Sequence, residues 1–188
     1  MTERFVEEDV KTRLLLSGIR ELSEYGARDF SLRRAAEAAG VSCAAPYRYF
    51  KGKEEYVAEI ISYLVSKWEL MANEICSANE EGGSGLIAEL AVTSIRFWLS
   101  NKNLRSALIL SGEENSLVKP SVFDKRLAEE LYKYFARKGL PECESKGRVN
   151  AIRALVIGFL TLVGSGELRN SEETFSDIKS QIEKFLRE

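Results

Sequence analysis

Apolar residues recur at intervals of three and four along almost the whole chain. No run sustains the two-residue alternation of a half-buried strand, so the pattern predicts an all-α protein. Val10, Leu14, Leu15, Gly18, Ile19 and Leu22 form one stripe, which places a first helix over about Glu8–Tyr25 with Gly26 as its stop. Ser31 restarts the chain as the N-cap of the alanine-rich segment LRRAAEAAG, which Gly40 ends. A third short helix is expected to begin at Ser42. Pro46 then falls in its first turn, where most backbone N–H groups have no intrahelical partner. The stretch KGKEEYVAEIISYLVSKWELMANEIC supports a long fourth helix from about Lys53 to Cys76, and SANEEGGSG after it reads as a linker.

Beyond the linker about five more helices are expected. One starts near Pro120, carries Phe123, Leu127, Leu131 and Phe135 on one face, and is stopped by Gly139 and Pro141. The next, about Glu144 to Gly164, is apolar on nearly every side across ALVIGFLTLV and must be covered all round. The last starts at Ser171, with Glu172 and Glu173 favouring the positive end of its dipole and Phe175, Ile178, Ile182, Phe185 and Leu186 along one stripe. Gly158 permits close helix approach. The last two helices are therefore expected to build a homodimer through a four-helix interface containing Leu155, Gly158, Phe159, Leu162, Ile178, Ile182 and Phe185. The expected division is residues 1–52 as one domain and 53–188 as a second.

Composition excludes more than it selects. The 188 residues are 45% apolar, enough for a substantial core, and 27 basic residues nearly balance 29 acidic ones, so the chain as a whole has no field pointing to nucleic acid or membrane. The first residues lack an apolar signal core. The longest oily run, Ala154 to Gly164, falls short of the roughly 20 residues of a membrane span, so a cytoplasmic protein without membrane contact is expected. With no histidine and three isolated cysteines, Cys43, Cys76 and Cys143, neither a zinc site nor a histidine-based triad can be assembled; no metal, cofactor or enzymatic activity is expected.

Charge becomes informative locally. Over residues 28–53, Arg28, Arg33, Arg34, Arg48, Lys51 and Lys53 oppose only Asp29 and Glu37, a local net of +4 in a chain whose net charge is −2. From the first helix onward the chain gives a long helix, a short one, the glycine turn AAGVS and a second short helix, which is helix-turn-helix order. Small Ala44 and Ala45 would let the tip of the third helix enter a major groove, with phenols and cations placed where phosphates run.

From about Leu15 to Ile60 the chain resembles the TetR (tetracycline-repressor-like) family of bacterial transcription regulators. The resemblance rests on YGARDF, SLRRAAEAAGVS, APYRYF and KGKEEYVAEI in that order and spacing. It implies a dimer that binds double-stranded operator DNA, and a C-terminal helical domain whose small-molecule effector releases the DNA. Matched position by position, it implies DNA contacts at Ser31, Arg33, Ser42, Cys43, Ala44, Ala45, Tyr47, Arg48, Tyr49 and Lys53. Ser31, Tyr47, Tyr49 and Lys53 correspond to phosphate anchors. Cys43, Ala44, Ala45 and Arg48 correspond to the base-facing set, of which only Arg48 could read guanine bidentately. Ala44, Pro46 and Tyr49 stand where glycine, leucine and histidine are frequent in the family.

Each feature also has a plainer reading. Phe50 is assigned to the core and Tyr47 to the surface, and of the arginine pair Arg33 rather than Arg34 is expected at DNA. Cys43 reads as an inert small residue, with redox sensing the alternative. Tyr63, Trp98 and Phe123 are the expected walls of a pocket for a small hydrophobic effector. A helical protein-interaction scaffold without DNA binding is the alternative function.

Overall fold

The computed structural model describes residues 2–79, 82–101 and 125–187. Among them the elements are α1 (Thr2–Tyr25), α2 (Leu32–Ala38), a 3-10 turn (Ala45–Arg48), α3 (Lys53–Ala78), α4 (Ser84–Ser100), α5 (Lys125–Arg137), α6 (Glu142–Ser165) and α7 (Glu172–Arg187). The all-α class holds throughout these residues. Pro120 and Phe123 lie outside the described residues, where α5 is concerned only from Lys125 onward. The chain divides into two compact units inside α3, between Ser66 and Lys67, whereas residue 52 marks only the start of that helix.

The first unit is built around one close crossing. Leu14 and Leu22 of α1, Phe30 just before α2, Ala35 and Ala36 of α2, and Phe50, Tyr56 and Ile60 around the start of α3 are all nearly or fully buried. A Cβ on Gly18 would stand 2.7 Å from Ile60 Cδ1 and 3.0 Å from Tyr56 Cε2, closer than packed carbon atoms tolerate. The missing side chain leaves room there for the Ile60 and Tyr56 side chains. Tyr56 fills the crossing: its hydroxyl donates to the Leu14 carbonyl, its ring stacks on Phe50 at 4.1 Å, and Phe30 meets it edge-on at 5.2 Å.

One expected helix is replaced by a tighter turn. The third helix, expected from Ser42, is a single 3-10 turn over Ala45–Arg48 whose N-cap is Ala44 and which has no side-chain cap. Pro46 supplies the reason. In an α-helix capped at Ser42 its nitrogen would return a hydrogen bond to the Ser42 carbonyl, but proline has no N–H. The Ala45 N–H takes that carbonyl instead at 2.9 Å, an i to i+3 bond that winds the segment more tightly.

In the second unit α4 is central. Ten of its residues are buried, from Leu86 to Leu99. It packs against α5, α6 and α7, while Trp68 of α3 meets its Phe97 with ring centroids 5.8 Å apart. The α5 face of Leu127, Leu131 and Phe135 is buried as its spacing requires. Ser171 caps α7 by accepting the Thr174 N–H at 3.3 Å, and Tyr134 of α5 and Lys138 just after it both donate to the Leu186 carbonyl near its other end.

The helix expected to be covered all round is bare on one side. Val149, Ile152, Val156, Leu160 and Val163 of α6 point inward, but Leu155 and Ile157 are exposed. Leu155, Gly158, Phe159 and Leu162, with Phe185 of α7, line an open apolar groove of about 450 Å³. A Cβ on Gly158 would meet nothing within 4 Å. Ile178 and Ile182, expected at the dimer interface, are instead buried within the protomer's own packing (1% and 0% exposed), because α7 turns that stripe toward α4. By length and composition α6 also meets the requirement of a membrane span, contrary to the expectation drawn from its oily run alone. One such helix is weak evidence, and its inward face packs as a bundle helix does.

Burial pushes the Tyr56 phenol up from its ordinary 10 to about 12; the Glu21 charge adds to this and a hydrogen bond with Ser17 opposes it. Because the folded value lies above the unfolded one, this contribution to stability is complete below pH 10 and disappears as pH rises through about 12. Tyr56→Phe should therefore cost about 1 kcal/mol at neutral pH and decline less steeply than wild type above pH 10. Chemical unfolding across that range checks it, and parallel curves would refute the assignment.

Candidate nucleic-acid interface

The head is assembled from backbone geometry outward. Ser31 caps α2, with extended φ and ψ (−123°, 117°) and its hydroxyl oxygen accepting the Arg34 N–H at 3.4 Å. At the other end Gly40 adopts φ +68°, where residues with a Cβ are strained. Its N–H returns to the Glu37 carbonyl and that of Val41 to the Ala36 carbonyl, both at 3.1 Å. These two bonds close a Schellman turn and fix the direction in which the chain leaves α2. Arg13 of α1 donates to the Ala39 carbonyl at the same corner, at 3.3 Å. Next comes the 3-10 turn, and then Glu55 reaches back to the Lys51 N–H at 2.7 Å to close the first turn of α3.

This framework separates buried supports from exposed tips. Pro46 and Phe50 are buried, so Phe50 is a core residue. Ser42, Cys43, Ala44, Tyr47 and Arg48 are exposed, Tyr47 to 64%, while Ala45 and Tyr49 are half-buried. Ser31, Arg33 and Lys53 stand at the beginnings of α2 and α3. Lys53 donates from its ammonium to the Arg28 carbonyl at 2.6 Å, which ties the loop before α2 to the start of α3. Cys43 is a free, exposed thiol.

The two neighbouring arginines differ in kind. Arg33 is 77% exposed and paired at 3.0 Å with Glu37, a surface i, i+4 pair of small worth. Arg34 bonds through Nε (2.9 Å) and Nη2 to Glu21, which is only 6% exposed, and through Nη2 to the Asp29 carbonyl at 2.7 Å. Its guanidinium also lies over the Tyr25 ring, 4.2 Å from the centroid. The hydrogen bond to Glu21 raises the Arg34 pKa further, so its charge is permanent. The Ser31 N–H donates to the same Glu21 oxygen at 3.0 Å.

Glu21 is the functional-site residue that sequence reasoning missed. It falls seven residues after Leu14 and three after Gly18, on the apolar stripe of α1, and a carboxylate there signals a buried partner. Counting it lowers the local excess of positive charge, since one of the six cations is already neutralised from within.

The expected effector walls fall in different parts of the chain. Tyr63 belongs to the first unit, Trp98 is buried in the second with its ring edge-on to Phe97 at 5.1 Å, and Phe123 lies outside the described residues. A second, more polar groove of about 550 Å³ runs between the end of α3 and the start of α4, past Ser77, Asn79, Gly82 and Leu86. Neither described groove includes Tyr63 or Trp98.

A short α2, a glycine-closed corner and a small exposed tip, held on a long first helix, define a helix-turn-helix head, and the second unit is a helical bundle. Residues 14–60 match the family model "Bacterial regulatory proteins, tetR family". The fold is similar to that of solved TetR-family transcription regulators. A TetR family regulator from Marinobacter aquaeolei VT8 superposes with a TM-score of 0.66 at 16% identity, over 99% of this chain and 98% of that one. NalD of Pseudomonas aeruginosa, the secondary repressor of the MexAB-OprM multidrug efflux pump, gives 0.65 at 20% identity over 96% and 95%. A transcriptional regulator from Rhodococcus sp. Rha1 gives 0.65 at 23% identity over 94% and 96%. No curated protein matches the chain.

Proposed function

We propose that the protein is a ligand-responsive transcriptional regulator, acting as a repressor, whose two copies place their heads in successive major grooves of an operator. The observation that carries the reading is the head itself: the family match at residues 14–60 coincides with an exposed tip, Ser42 to Arg48, on a buried framework. Residues 1–52 then bind DNA and residues 53–188 bind the effector and dimerise. Such a protein works in the cytoplasm, where its operator is. The repressor role follows NalD by analogy of fold alone.

Anchoring and reading contacts fail in different ways. If Tyr47 and Lys53 hold phosphates, Tyr47→Phe and Lys53→Ala should weaken binding to operator and unrelated DNA by similar factors. Loss of Lys53 should flatten the salt slope by about one unit per contact. Arg48→Ala should instead cost roughly 1–3 kcal/mol on the operator and relax discrimination at one base pair in each half-site. Titration of genomic fragments selected by the wild-type protein, against scrambled duplexes at several salt concentrations, separates the two. Equal weakening on every duplex would make Arg48 an anchor.

The second copy is proposed to cover the groove on α6. Leu155, Gly158, Phe159, Leu162 and Phe185 remain as its lining, while Ile178 and Ile182 support it from inside. Leu155→Glu puts a charge on this face without entering the protomer's core. It should give monomer or aggregate by sedimentation; a soluble dimer would place the interface elsewhere.

The effector is proposed to be a small hydrophobic molecule bound by the second unit. By linkage, operator DNA must weaken its binding by the factor with which it weakens DNA binding. Equal effector affinity for free and DNA-bound protein, measured by calorimetry, would exclude the coupling.

A further inference from the structure

We propose that Glu21 withholds Arg34 from DNA, so that of two adjacent arginines only Arg33 is available to a phosphate, and that this lock raises sequence specificity. The inference rests on the DNA-binding reading and deepens it. Arg33 and Arg34 are consecutive on α2, close to the expected path of the backbone, and both are cations that any DNA sequence would attract. Contacts of that kind strengthen binding everywhere and dilute whatever the tip reads.

The geometry treats the two differently. Arg33 projects outward, and its partner Glu37 is itself exposed, so exchanging that carboxylate for a phosphate costs little. Arg34 is held on three sides: Glu21 takes Nε and Nη2, the Asp29 carbonyl takes the second Nη2 hydrogen, and the Tyr25 ring covers one face. Three of its five N–H hydrogens are thereby engaged. Glu21 is 6% exposed, so pulling Arg34 away to DNA would leave a buried carboxylate without its counter-charge, the costly way to break an ion pair. Its remaining bond to the Ser31 N–H cannot replace that charge. The same carboxylate thus fixes the start of α2 and removes one cation from the DNA-facing sum.

Two substitutions in the full-length protein test this, each decisive alone. Arg34→Gln keeps a donor toward Glu21 and removes the charge; if Arg34 does not touch DNA, the salt slope on random-sequence duplex should equal that of wild type. Glu21→Gln keeps an acceptor for the Ser31 N–H and removes the lock. Its salt slope should steepen by about 0.9 for each phosphate that a released Arg34 neutralises, and its preference for selected fragments over random duplex should fall. Circular dichroism confirms that each variant is folded, and a purely structural role for Glu21 would lower its melting temperature without moving either slope. A shallower slope for Arg34→Gln, or an unchanged slope for Glu21→Gln, would overturn the proposal. Absence of DNA binding by the wild-type protein would overturn the regulator reading together with it.

Discussion

Helix α1 meets the start of α3 at Gly18, where a Cβ would stand 2.7 Å from Ile60 Cδ1 and that side chain would have to shift. The contact distances there leave no room for a methyl group, and the space is taken by Tyr56 and Ile60, both fully buried. The buried rings beneath the head gather at this crossing. Tyr56 carries Phe50 on its ring, Phe50 ends the segment containing the 3-10 turn, and Phe30 closes the other side of the same aromatic cluster. The exposed tip is therefore fixed from below by packed rings, which hold a site more firmly than a loop of its own could.

Two further devices convert that rigid base into a presented surface. The Schellman closure at Gly40 sets the angle at which the chain leaves α2, and Pro46, which has no donor for the Ser42 carbonyl, sits in the tight turn that follows. Glu21 reaches from the first helix to the cap of α2 and to Arg34, so a single carboxylate ties two elements together. The supports are buried and hydrogen-bonded; the residues left outside are small, phenolic or cationic. That division suits a surface meant to meet a polyanion at close range.

The second unit shows how burial can be exchanged between helices of similar composition. Both α4 and α6 are apolar over long stretches, yet α4 lies among α5, α6 and α7 while α6 keeps an uncovered face. A protomer of this size has few positions enclosed by neighbours on every side, and α4 occupies one of them. The bare stripe of α6, with its glycine facing open space, is the apolar face that the described residues leave uncovered.

The amino-acid sequence by itself determined the helical class, most helix limits, the Ser31 and Ser171 caps, the Gly40 corner and the burial of Phe50. Each depends on spacing or on the backbone chemistry of one residue, and such properties are local. The head was legible for a second reason, since its short motifs recur in order within one run of chain. What escaped depended on which elements meet. The stripe of Ile178 and Ile182 was visible, but whether it faced a partner copy or α4 was set by the placement of α7. The expected third helix became a 3-10 turn beside the carbonyl left open by Pro46, and the spacing of α1 marks Glu21 as inward-facing without naming Arg34 and Ser31 as its partners. Periodicity tells a residue which side of its own helix it occupies; only the tertiary structure supplies what stands on that side.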